Sequence, residues 1–315
     1  MEGKLFLGIA DNGRFASVVV GDGEGRIIST CVGGSVNYHF WGIEQARANL
    51  RDIIVQTVGW DRRASLAGVC FTYKADFAAT EWKTPDLVSG LLETTCVKVE
   101  DFAATSTLGI PGAKDRLLLI GGHSGLVIFE GETGFSHQMR QEEFFWSPCT
   151  RLNAKLATVT YQGDLEDLLH LKTWIRTSQC LATLTKLLDD LVDQGSAVAV
   201  EVAYDVAYDL VRLVTSMATY FSGLDPVIGL HGQILLGSRT IRDRVYHLIG
   251  LLFPQSQVVD APLAPAKGAY LSSVLTRRSG FEQEVINNLY DSTSDLEREG
   301  WLNFGSQISN SCKNH

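Results

Sequence analysis

No Cys-x-x-Cys pair, no His-Glu-x-x-His and no Gly-x-Ser-x-Gly occurs in this sequence. The first two absences remove the usual ligand spacings of a zinc site, and the third removes the elbow that exposes a serine nucleophile. The six cysteines, Cys31, Cys70, Cys96, Cys149, Cys180 and Cys312, are scattered, several inside apolar runs of strand length, which predicts reduced core thiols and a reducing cytoplasm. No apolar run approaches the ~18 residues of a membrane span. Met1-Glu2-Gly3 leads into a strand pattern with no basic segment or apolar leader, so neither secretion nor membrane spanning is expected. Basic clusters are missing too: 27 Lys and Arg are dispersed among 36 Asp and Glu, for a formal charge of −9. A surface that tracks nucleic-acid phosphates or anionic lipid is therefore not expected.

What is present is a 315-residue chain with 45% apolar content, enough for two medium cores. Residues 4 to 29 predict a three-strand meander. Asp11-Asn12-Gly13 between apolar runs reads as a hairpin because the central turn positions need positive φ, which Asn and Gly tolerate. A Gly-rich loop, Val32 through Asn37, precedes an amphipathic helix with apolar residues at Ile43, Ala46, Leu50, Ile53 and Val58. A buried strand over 64–72, a helix over 77–92 and a short strand over 97–99 complete a β-β-β-α-β-α-β order. The order begins again near Arg116, with strands at 117–122 and 126–129 around Gly122-His123-Ser124-Gly125. A largely helical stretch follows over 142–219, its clearest stripe being Val202, Val206, Leu210, Leu213, Met217 and Phe221. A strand at 226–229, a helix at 238–253, a strand at 257–260 and a helix at 266–275 close this second unit. The similar order of the two units suggests duplication at the level of fold, with no residue-level repeat. Residues 276–315 turn polar and predict a docked terminal helix with a frayed end.

Four segments resemble the BadF/BadG/BcrA/BcrD-type ATPases, and within them the N-acetylglucosamine kinases. They are Gly34-Ser35-Val36-Asn37, Val99-Glu100-Asp101-Phe102-Ala103-Ala104, the run from Gly134 to Glu142, and Ala264-Pro265-Ala266-Lys267-Gly268-Ala269. The resemblance runs over residues 4 to about 275. It implies an α/β protein of two ribonuclease-H-like (actin-like ATPase) lobes with an interlobe cleft: an N-terminal lobe over 1–112, a C-terminal lobe with a helical insertion over 113–275, and a terminal helix and tail over 276–315. It also implies ATP-dependent phosphoryl transfer to a hydroxyl of an amino-sugar-like metabolite, with ATP and Mg²⁺ as cofactors, a sugar-like partner and a homodimer. Carried over residue by residue, Asp101 is the catalytic base, and Asn37 and Gln141 meet the substrate. Asp11, Gly13, Gly122, Ser124 and Gly229 cradle the nucleotide, with Asp11 facing the metal.

The nucleotide side departs from the family pattern. In register its metal-facing Asp falls on Ala10 and a phosphate-binding Thr on Arg14, and only a one-residue slip restores Asp11. His123 and Leu230 put bulk where the family keeps almost none. The branch of activators that holds an iron–sulfur cluster is not expected, because Cys96 and Cys149 lack its context. Two expectations follow, a working sugar kinase or a non-catalytic ligand sensor or partner-binding scaffold of the same fold. Read from the residues alone, Asp101 follows a strand and opens a helix, which suits an N-cap as well as a base.

Overall fold

The predicted hairpin forms from β1 (Leu5–Asp11) and β2 (Phe15–Asp22), paired antiparallel, and β3 (Ile27–Gly34) extends the meander. Every residue of β1 is buried, as suits a central strand covered on both faces. α1 (Tyr38–Trp41) and α2 (Ile43–Thr57) follow the glycine-rich loop. A 3₁₀ turn at Trp60–Ser65 leads into β4 (Leu66–Tyr73), then α3 (Thr84–Val88), β5 (Val97–Asp101) and α4 (Phe102–Leu108). β4 lies parallel to β1 and β5 parallel to β4, so the first sheet has the order β3-β2-β1-β4-β5.

The second sheet repeats the plan. β6 (Arg116–Gly121), β7 (Gly125–Glu130) and β8 (Ser136–Arg140) are antiparallel. α5 (Ser178–Asp193) and α6 (Ala197–Ser216) precede β9 (Val227–His231), parallel to β6. α7 (Gln233–Gly237), α8 (Arg239–Leu252) and β10 (Val258–Asp260) complete the order β10-β9-β6-β7-β8. The predicted stripe on α6 is buried against β6, β7 and β9 in one apolar core. The chain closes with α9 (Ala264–Leu275) and α10 (Gln283–Glu299). This is a computed structural model that describes residues 3–13, 15–73, 84–94, 96–110, 115–122, 125–131, 136–140, 178–277 and 283–299. The first part of the helix expected over 77–92, and the first part of the helical stretch over 142–219, lie outside the described residues.

The chain divides into two compact units, Met1–Gly112 with Leu263–His315, and Ala113–Pro262. α9 therefore belongs to the first unit, where the sequence placed it in the C-terminal lobe. The reason is close backbone packing. A Cβ on Gly8 of β1 would overlap the backbone of Ala266 and Tyr270, one on Gly268 would overlap the carbonyl of Thr105, and one on Gly109 would overlap that of Ala264. Glycine at these three positions lets α9 lie directly on β1 and α4. Ala264 to Val274 are all buried, so α9 is a central helix with no exposed face. α10 docks on the same unit: Val285 and Leu289 are buried, Asn288 Nδ2 donates to Glu24 O at 2.8 Å, and Ile27 N donates to Ser292 Oγ at 3.1 Å. No helix among the described residues is long and apolar enough to cross a membrane.

Candidate functional site

Strand register brings the predicted acids to one edge. Asp11 ends β1 and pairs with Tyr73 at the end of β4, and Tyr73 pairs with Asp101 at the end of β5. The row lies at the carboxyl ends of three adjacent parallel strands, where open α/β sheets bind ligands, next to the point at which the chain leaves β1 for one side and β4 for the other. Two strand spacings put the backbones of Asp11 and Asp101 about 10 Å apart. Between them the buried Tyr73 phenol has its pKa raised well above the usual value, first by burial and then by the Asp11 charge, so it stays neutral.

Of the two roles left open above, the structure shows the first: Asp101 is the N-cap of α4. Its Oδ1 accepts from Ala103 N at 2.8 Å and Ala104 N at 3.2 Å, which caps α4. The residue is exposed, and among the described residues no donor reaches Oδ2. One oxygen thus fixes the carboxylate while the other faces outward. Thr105 Oγ1, at 2.9 Å from Thr72 Oγ1, anchors α4 to β4 and so fixes that cap.

Asp11 is built differently. It is 1% exposed. Oδ1 accepts from Gly13 N at 2.6 Å, Oδ2 from Val36 N at 2.6 Å, and the Ser35 hydroxyl lies 3.0 Å from both. Burial pushes this carboxyl from 3.8 up to about 6, against the opposing pull of donors from Gly13, Val36, Ser35 and Asn37. The folded chain then takes up a proton near pH 6 that the unfolded chain takes only near 3.8. This group's contribution to stability therefore rises as pH falls through that window. Between about pH 7.5 and pH 4.5 the stability of wild type relative to Asp11→Asn is expected to shift by about 2 kcal/mol in favour of wild type. Urea unfolding of both proteins at the two pH values measures it, and a constant difference would contradict the raised pKa.

The first turn does not fit the group the resemblance implies. Magnesium keeps a water shell and is steered by carboxylates that face solvent, whereas the Asp11 lone pairs are taken by the chain itself. Ala10 has no carboxylate to offer, and it lies on the opposite face of β1 from Asp11. Phe6 and Ala10 pack with Tyr270 on the α9 face, while Leu5, Leu7 and Ile9 pack with Ile53 and Ile54 on the other, the face that Asp11 shares. The N–H groups of the turn's described residues are also occupied: Asn12 N donates to Phe15 O, Gly13 N to Asp11 and Phe15 N to Asn12 Oδ1. An anion there would need free N–H groups. Arg14 lies outside the described residues.

The remaining predicted residues divide. Asn37 is 3% exposed and its Oδ1 accepts from His39 N at 3.1 Å, capping α1, while its amide nitrogen has no hydrogen-bond partner among the described residues. Gly122 follows β6, but Ser124, His123 and Gln141 lie outside the described residues. Gly229 is not in a turn. It sits buried inside β9, paired with Leu118 and Val259, so it has no free backbone to offer a nucleotide. The turn glycine is Gly232, with φ 101° and no room for a Cβ against the Gly121 backbone. It joins the ends of β6 and β9 at the edge that corresponds to Asp11 and Tyr73 in the first sheet. Of the two glycines three residues apart, only the one past the strand end could take positive φ, which was the available signal. Ser35 and Trp41, described below, were missed as site residues.

No family model and no curated protein matches the chain. Solved structures do. A ROK family glucokinase from Streptomyces griseus, in complex with glucose and AMPPNP, is 17% identical with a TM-score of 0.58, over 85% of this chain and 99% of its own. A Chromobacterium violaceum protein assigned as an N-acetylglucosamine kinase is 11% identical with a TM-score of 0.60, over 85% and 98%. A ROK family transcriptional regulator, homolog of the E. coli MLC protein, is 11% identical with a TM-score of 0.53, over 91% and 80%. The fold is thus that of sugar kinases and actin-like ATPases, an α/β architecture with two similarly ordered sheets.

Proposed function

We propose that the protein binds an amino-sugar-like metabolite at the carboxyl edge of its first sheet and acts as a sugar kinase, directing one hydroxyl of that ligand with Asp101. The observation that carries this reading is the Asp101 carboxylate, held through Oδ1 and open at Oδ2, in register with the buried Tyr73 and Asp11. Oδ2 would accept a hydrogen bond from the hydroxyl and take its proton as that oxygen bonds to the γ-phosphorus of ATP and ADP leaves, and positioning of this kind is most of what phosphoryl transfer asks of a protein. The resemblance to the BadF/BadG/BcrA/BcrD-type ATPases supplies the amino sugar, with Asn37 and Gln141 as its contacts and Gly122 and Ser124 for the nucleotide. It also supplies a homodimer, to be read by sedimentation. A reducing cytoplasm suits Cys31 and Cys70, whose thiols burial pushes up to about 12.

One observation favours a second reading, a non-catalytic sugar-responsive protein: the first turn has its described donors and its carboxylate closed on themselves. Thermal-shift titrations separate the two. N-acetylglucosamine or glucose at saturating concentration is expected to raise the Tm in both readings, and Mg·ATP to raise it further only in the kinase. If no sugar in a panel of hexoses and amino sugars moves the Tm, the site is not a sugar site. If sugar binds and millimolar Mg·ATP changes nothing, the sensor reading stands.

A further inference from the structure

The hydrogen bonds around the first turn close into a ring. Gly13 N donates to Asp11 Oδ1, and the Ser35 hydroxyl reaches the same carboxylate. Ser35 Oγ accepts from Asn37 N at 3.1 Å, and Asn37 caps α1. The last residue of α1, Trp41, donates its indole N–H to Gly13 O at 3.0 Å, which returns to the starting turn. Two supports hold the ring from outside. Asn49 of α2 donates Nδ2 to Ser35 O at 2.7 Å and is itself fixed by Gln45, and Gly34 lacks the Cβ that would strike the Asn49 side chain. On the other flank, a Cβ on Gly13 would come 3.3 Å from the Phe40 ring, so that turn too is fitted to α1.

We infer that this ring, closed by Asp11, Ser35 and Trp41, is a brace that positions Asn37 for the sugar, so that the first turn of this chain serves the sugar ligand and not a phosphate. The inference rests on the sugar-binding reading above. Its physical basis is that a buried carboxylate accepting several charge-assisted hydrogen bonds holds its partners far more firmly than a solvated one. Residues 35–37 have no regular secondary structure to hold them. Asp11, Ser35 and Trp41 are positioning residues here, acting on the ligand through Asn37.

The test uses the full chain with N-acetylglucosamine and glucose as sugar probes and Mg·AMPPNP as nucleotide probe, each by calorimetry. Ser35→Ala and Trp41→Phe are expected to weaken the sugar Kd about tenfold, as for loss of one hydrogen bond in a buried network, and to leave the nucleotide response of wild type unchanged. Ser35→Thr keeps the hydroxyl and is expected to restore the sugar Kd to within about twofold of wild type. Variants that bind sugar like wild type would overturn the inference, and so would a loss that Ser35→Thr does not restore. Hydrogen exchange gives a second reading that needs no ligand. In Asp11→Asn the Val36 and Asn37 amides are expected to exchange at least about tenfold faster while the amides of Leu7 and Ile9 in β1 keep their rates. Unchanged protection at Val36 and Asn37 would remove the brace. If wild type binds neither sugar, the reading of the site fails and takes with it the ligand assigned here, while the exchange result still decides the brace.

Discussion

Gly268→Ala is expected to destabilise the first unit by at least about 3 kcal/mol, and Gly250→Ala to stabilise the second by about 0.5–1 kcal/mol. The two substitutions add the same methyl group to a helix. On Gly250, in the exposed face of α8, that methyl meets nothing within 4 Å, so only the gain in helix propensity remains. On Gly268 it lands on the Thr105 carbonyl of α4, and the neighbour is backbone, not the free end of a side chain. α9 must therefore move off α4, and that movement disturbs its contact with Gly8 on its other flank. In a unit of this size 3 kcal/mol corresponds to a fall in Tm of about 10 °C. Differential scanning calorimetry of both variants checks the pair, and a Gly268→Ala protein that melts with wild type would show that the close approach is absent. The consequence reaches the site, because α4 carries the cap on which Asp101 is held.

The same helix shows where sequence reasoning stopped. α9 was legible as a helix from its length and from Pro265 in its first turn, but its neighbours were not. Small residues such as Ala266, Gly268, Ala269, Ser272 and Ser273 mark no apolar face. The glycines that admit the helix, Gly8 and Gly109, lie far away in sequence. The hairpin at Asp11-Asn12-Gly13 and the α6 stripe were legible because their signals are local: positive φ at a turn, and period 3.6 along a helix. β8 was not, since Ser-His-Gln-Met-Arg has no alternation, and only pairing with β7 makes it a strand. At the site, Asp101 could be assigned to a strand end from sequence. The environment of Asp11 could not, because its partners Ser35 and Val36 and the bracing Trp41 follow 24 to 30 residues later in the chain and meet it only when β3 lies back on β2.

Asp101→Asn is the substitution with the largest expected effect on activity: a loss of about 10²–10⁴ in kcat, with sugar Kd weakened by about tenfold at most. Asparagine caps a helix about as well as aspartate, so the bonds to Ala103 and Ala104 and the position of α4 should survive, and the unfolding free energy should change by less than about 0.5 kcal/mol. Only the acceptor at Oδ2 is replaced. Asp101→Ala removes both functions, and is expected to show the same loss of turnover together with about 1 kcal/mol of lost stability. The pair separates cap from base, since a residue that acts by holding α4 would lose activity in proportion to stability and would be nearly wild type as Asn. Turnover retained in Asp101→Asn would remove Asp101 from the chemistry. Should wild type show no turnover, the same carboxylate can still be weighed as a ligand contact: in a sugar-responsive protein Oδ2 accepts from the hydroxyl without taking its proton. The Asn variant, whose side-chain amide can donate but no longer offers a charged acceptor there, should then weaken sugar binding about tenfold, the effect of losing one hydrogen bond to a charged group.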